Sequence, residues 1–160
     1  MPTTPTLQNY NVTLERRLEV RARTAMRLVT GLTTADVNIL VRDEDDPLIQ
    51  NDTTPLPIIV LRAQDMGRYR QTPIRILDLS IACRSTKEKA GASAFDVVCA
   101  NVEEWLDNSR LTIELTDPTA GLYTMLAIRP SGTQRTLTNN IREHTYLLSV
   151  KAAPAERTTN

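Results

Sequence analysis

The chain has 160 residues, with 19 basic and 19 acidic side chains that cancel to a formal net charge of zero. That length fits one domain, since about 150 residues bury about 68–70% of their unfolded surface, and the neutral total argues against the wholesale phosphate neutralisation of non-specific nucleic-acid binders. Only Cys83 and Cys99 are present, which excludes a disulfide framework and fits a reducing compartment; each reads as a small buried hydrophobe, with a redox pair as the alternative.

The opening MPTTPTLQNYNVT has no basic region followed by an apolar run, and no stretch of about 18 apolar residues occurs anywhere. Neither a signal peptide nor a membrane span is therefore expected, and the chain reads as cytoplasmic where it is made. Residues 1–10, with Pro2, Pro5 and several threonines, read as an extended arm.

From about Asn11 the pattern turns helical. Leu14, Leu18, Ala22, Ala25 and Val29 fall on one stripe, with Asn11 or Thr13 as N-cap and Gly31 as the stop. Arg16, Arg23 and Arg27 project from the opposite side in this reading. Val37, Ile39 and Val41 then alternate as a short strand, followed by the acidic loop DEDDPLIQNDTTP, which is too long and too rich in carboxylates and prolines for regular structure.

The apolar runs LPIIVLRAQ (56–64) and PIRILDLSIAC (73–83) flank DMGRYRQT and predict a β-hairpin arm with an arginine-rich tip around Arg68, Tyr69 and Arg70. A second helix follows, started by a capping box of Ser85 with Glu88 or of Ser93 with Asp96. Phe95, Val98, Cys99, Val102 and Leu106 form its apolar stripe, Trp105 lies beside it, and Asp96, Glu103, Glu104 and Asp107 form an acidic outer side. LTIEL (111–115), LYTMLAI (122–128) and HTYLLSVKA (144–152) read as strands, with DPTAG and RPSGTQ as turns between them.

The expected fold is α+β: an antiparallel-rich β-sheet with two main helices packed on one face, long loops and a hairpin arm. One domain spans 1–153, including the arm 1–10, and residues 154–160 form a flexible tail.

Catalytic constellations are missing from the sequence. His144 is the single histidine and reads as an ordinary strand-end residue; the cysteine spacing matches no zinc site; and no GxSxG, GxxxxGK[ST] or GxGxxG occurs. The contiguous carboxylates Asp43, Glu44, Asp45 and Asp46 diverge and repel on a loop, unlike an acid pair that holds Mg²⁺. The chain reads as no enzyme and as having no cofactor or metal. An enzyme would need an unrecognised site, for example from His144, Asp78 and Arg75.

Opposite charges are segregated by element. Arg16, Arg17, Arg21, Arg23 and Arg27 crowd the first helix, while Asp43, Glu44, Asp45, Asp46 and Asp52 crowd one loop. Either these are two solvated surfaces, or they are the two unlike faces of a head-to-tail contact, as in a ring.

The arginine-bearing helix, the hairpin PLPIIVLRAQ…PIRILDLSIACRS, the helix ASAFDVVCANVEEWL and the closing pair YTMLAIRP…REHTYLLSVKA together resemble the tail terminator and tail-completion (neck) proteins of tailed bacteriophages. The resemblance spans most of residues 11–152 and lies in element order, size and hydrophobic pattern. It implies a structural virion protein, made in the host cytoplasm, that forms a homo-oligomeric ring, expected to be a hexamer, at the head-proximal end of a tail. Such a ring terminates the tail tube and joins it to a head-tail connector or neck protein, with sheath protein as a further neighbour. Genomic DNA passes through its lumen without sequence-specific binding, and no membrane is involved. By analogy the hairpin tip Arg68–Arg70 and the acidic loop from Asp43 are the contact candidates. The alternative is a ferredoxin-like nucleic-acid-binding module using the helix arginines or the hairpin tip.

Overall fold

A computed structural model describes residues 14–41, 57–86, 89–107, 123–138 and 141–154. The elements are α1 (Leu14–Met26), β1 (Asn38–Val41), β2 (Ile58–Arg68), β3 (Arg75–Thr86), α2 (Lys89–Leu106), β4 (Tyr123–Thr138) and β5 (Ile141–Pro154). The strands form one sheet in the order β1-β2-β3-β5-β4, parallel only between β1 and β2. This is the expected α+β architecture, a mostly antiparallel sheet with two helices.

Side-chain alternation divides the sheet. Ile59, Leu61 and Ala63 of β2, Leu77, Leu79, Ile81 and Cys83 of β3, and Tyr146, Leu148 and Val150 of β5 point to one face and are buried there. Leu18, Ala22, Ala25 and Met26 of α1 pack on β2 and β1, while Phe95, Val98, Cys99, Val102 and Trp105 of α2 pack on β3, so both helices share one core. Each fully buried Leu or Ile contributes about 1.5–3 kcal/mol of transfer free energy. On the opposite face Ile58, Val60 and Ala82, with Leu40 against them, make a smaller apolar cluster.

α1 ends at Met26, one turn before the expected stop. Leu28 N–H donates to the Ala25 carbonyl at 3.2 Å and Val29 N–H to that of Met26 at 3.0 Å, so the chain tightens into turns before Gly31 reverses it at φ +90°. Gly31 also lies against α2: a Cβ there would sit 2.2 Å from Asn101 Nδ2.

The second hairpin departs from the sequence reading. RPSGTQ, expected as a turn, continues β4 as far as Thr138. β4 is the outer strand, where a proline is tolerated, and bulges between Met125 and Ala127 and between Pro130 and Gly132 absorb the turn-forming residues. Neither expected capping box starts α2, because Ser85 belongs to β3 and Ser93 lies inside the helix. The arm 1–10, the acidic loop, the LTIEL and DPTAG segments and the tail from 155 lie outside the described residues. Among the described residues, no helix is long and apolar enough to cross a membrane.

Candidate functional site

The β2–β3 hairpin is shaped by Asp65. Its Oδ1 accepts from Gly67 N–H at 2.8 Å, and its Oδ2 accepts from Arg75 Nε at 3.0 Å and Nη2 at 2.8 Å. That clamp sits at the bulge between Asp65 and Gly67, where Gly67 takes φ +111°. Both strands therefore run further than their apolar stretches, and Arg68 closes β2 instead of lying in the turn. The turn itself is held by Tyr69 N–H donating to the Ile74 carbonyl at 2.8 Å, with Arg70 at φ 54°.

Two cations lie over the Tyr69 ring. Lys151 of β5 places Nζ 3.9 Å from the ring centroid, and Arg70 places its guanidinium carbon 5.2 Å away. Lys151 is opposite Ile76 on β3 and Ala127 on β4, so it faces away from the helices, as does Arg129, the β4 partner of Ser149. Arg68, Arg70 and Arg129 are exposed. No carboxylate of the described residues pairs with these four cations; by register Asp78 lies diagonal to Lys151 on the same face, while Arg68, opposite Arg75, lies on the helix side of the sheet.

The arginines of α1 differ from those of the tip. Arg16, Arg23 and Arg27 are only partly exposed and are engaged in interactions within the chain. Arg27 Nη1 donates to the Val37 carbonyl at 2.6 Å, tying the end of α1 to the start of β1. Asp43, Glu44, Asp45 and Asp46 lie outside the described residues.

A second polar group lies under α2. His144, opposite Cys83 in the ladder, is buried and stacks on Tyr146 with ring centroids 4.2 Å apart. Tyr146 Oη lies 2.9 Å from Glu103 Oε1 and 3.2 Å from His144 Nδ1. Burial and the bond to Glu103 hold the hydroxyl protonated far beyond its ordinary range, so it donates to the carboxylate and His144 Nδ1–H donates to Oη. Nε2 is then a buried acceptor with no partner. Burial first, and the Arg135 charge second, lower the His144 pKa. The two thiols touch: Cys83 is raised by its bond to Cys99 and by burial, and Cys99 is lowered by accepting that bond.

His144, Tyr146 and the two cysteines are buried, and Glu103 reaches them from the exposed side of α2. His144, Asp78 and Arg75 are not brought together: Asp78 faces away from the helices, His144 towards them, and Arg75 is committed to Asp65. Among the described residues, no group of three or more His, Cys, Asp or Glu side chains is arranged to hold a metal ion. Lys151 over Tyr69 and the Glu103–Tyr146 bond were beyond sequence reasoning, since each joins segments far apart in the chain. No protein-family model matches this sequence, and no curated protein matches it.

Proposed function

We propose that this protein is a ring-forming structural subunit at the head-proximal end of a bacteriophage tail, ending the tail tube and joining it to the head connector. The observation that carries this reading is the asymmetry of the sheet. One edge is the four-residue β1, and the other is the sixteen-residue β4, exposed from Arg129 to Leu137. A subunit with two unlike edges and a charged hairpin tip suits head-to-tail contacts, which close into rings when the rotation per subunit divides a full turn. The element order and size that resemble tail terminator and tail-completion proteins support the same reading.

The described order, α-β-β-β-α-β-β, differs from the β-α-β-β-α-β order of the ferredoxin-like alternative. Negative-stain imaging of the purified protein tests the proposal. Rings with an axial hole and six-fold averages are the expected result; particles of subunit size under all conditions would count against it.

A further inference from the structure

We infer that the cationic hairpin tip, Arg68, Arg70 and Lys151 around Tyr69, is the docking site for the acidic segment Asp43–Asp52 of a neighbouring copy of this chain. The inference rests on the ring reading and names the contact that would hold the ring together.

Among the elements described, basic residues cluster in α1 and at the tip, with single arginines such as Arg62, Arg84, Arg135 and Arg142 spread along the strands. Those of α1 are part-buried and already engaged within their own subunit, with Arg27 bound to the Val37 carbonyl. Arg68 and Arg70 of the tip are exposed, and no described carboxylate pairs with them; Asp65, the acid of β2, is held at Oδ2 by two nitrogens of Arg75. The chain as a whole is neutral, so the tip's surplus is matched by acids elsewhere, and the densest acidic run is Asp43, Glu44, Asp45, Asp46 and Asp52 with only Arg42 among them.

Geometry adds to charge. Tyr69 holds Lys151 and Arg70 against one ring, which limits the side-chain entropy lost when a carboxylate binds. Arg70 is exposed in a turn where it takes φ 54°. A peptide carrying successive carboxylates meets several cations at once, and complementary charge of this kind sets register and association rate. Tip and acidic segment are different parts of one subunit, so the contact can repeat head-to-tail from copy to copy, as a ring requires.

A charge-swap experiment separates contact within a chain from contact between chains. In Arg68→Glu/Arg70→Glu both partners are acidic; in Asp43→Lys/Glu44→Lys/Asp45→Lys/Asp46→Lys both are basic. Either variant alone is expected to raise the dissociation constant of assembly about tenfold or more at low salt. An equimolar mixture is expected to regain wild-type assembly, since each variant's tip then complements the other's segment. Native mass spectrometry reads the outcome directly, with the two masses alternating in mixed rings.

Three results would overturn the inference, each in a different way. Variants that assemble as the wild type does, with unchanged salt dependence, remove this contact and leave the ring. Variants that lose assembly without recovery on mixing make the contact internal to one chain. A short DNA duplex bound by the wild type and released by Arg68→Glu/Arg70→Glu, with assembly unchanged, assigns the tip to phosphates. A wild-type chain that forms no rings in the same spectra removes the ring reading itself.

Discussion

Glu19 of α1 accepts a hydrogen bond at 2.7 Å from the backbone N–H of Ala63 in β2, and its side chain is fully buried. The bond exists because the neighbouring strand is short. β1 ends at Val41, opposite Leu61, and β2 continues past it with a donor that no strand among the described residues meets. A helix carboxylate completes the ladder there and fixes the height of α1 over the sheet.

Replacing Glu19 with alanine leaves the Ala63 N–H buried without its acceptor and opens a cavity under α1. The expected cost is about 2–4 kcal/mol, read as a lower midpoint in urea unfolding. Glu19→Gln keeps an acceptor of the same shape and is expected to lose less. Equal losses for the two variants would mean that shape alone, and not the bond, matters.

Stability is expected to fall as the solution is acidified through the histidine range. The folded His144 pKa is lowered, so below about 6.5 the unfolded chain takes up a proton that the folded chain refuses. The stabilising contribution is therefore fully present above the unfolded value and lost as pH drops towards the folded one. Its slope is at most about 1.4 kcal/mol per pH unit. Urea midpoints at pH 7.5 and 5.5, compared between wild type and His144→Gln, measure it; an identical acid dependence in both would place the effect elsewhere.

Gly31 combines two constraints. At φ +90° any side chain is strained, and a Cβ would press on the Asn101 amide of α2. Gly31→Ala is expected to destabilise by about 1–3 kcal/mol in thermal or urea unfolding. Adding Asn101→Gly relieves the contact but not the backbone strain, so the pair is expected to recover only part of the loss. Full recovery would show that the dihedral carries no cost.

The two apolar stripes were legible in the sequence because a 3.6-residue period survives any arrangement of the rest. Leu18, Ala22 and Ala25, and Phe95, Val98 and Val102, are buried as their spacing requires. Glu19 was not legible: on the helix surface it reads as one more charge among arginines, and its purpose depends on where a different strand stops. RPSGTQ misled for a related reason, since turn-forming residues are tolerated in an edge strand through bulges that only the sheet order reveals. At the tip, the cluster Arg68, Tyr69 and Arg70 was visible as a run of residues. Lys151, which completes it, comes from the last strand and is brought over Tyr69 only through the pairing of β5 with β3.

Native mass spectrometry of the intact chain over a range of protein and salt concentrations tests the central claim, self-assembly into a ring, most directly. The account predicts a concentration-dependent hexamer that dissociates as salt rises, since charge complementarity between exposed groups is screened over about 10 Å at 0.1 M ionic strength. A monomer that persists at every concentration and salt would contradict it.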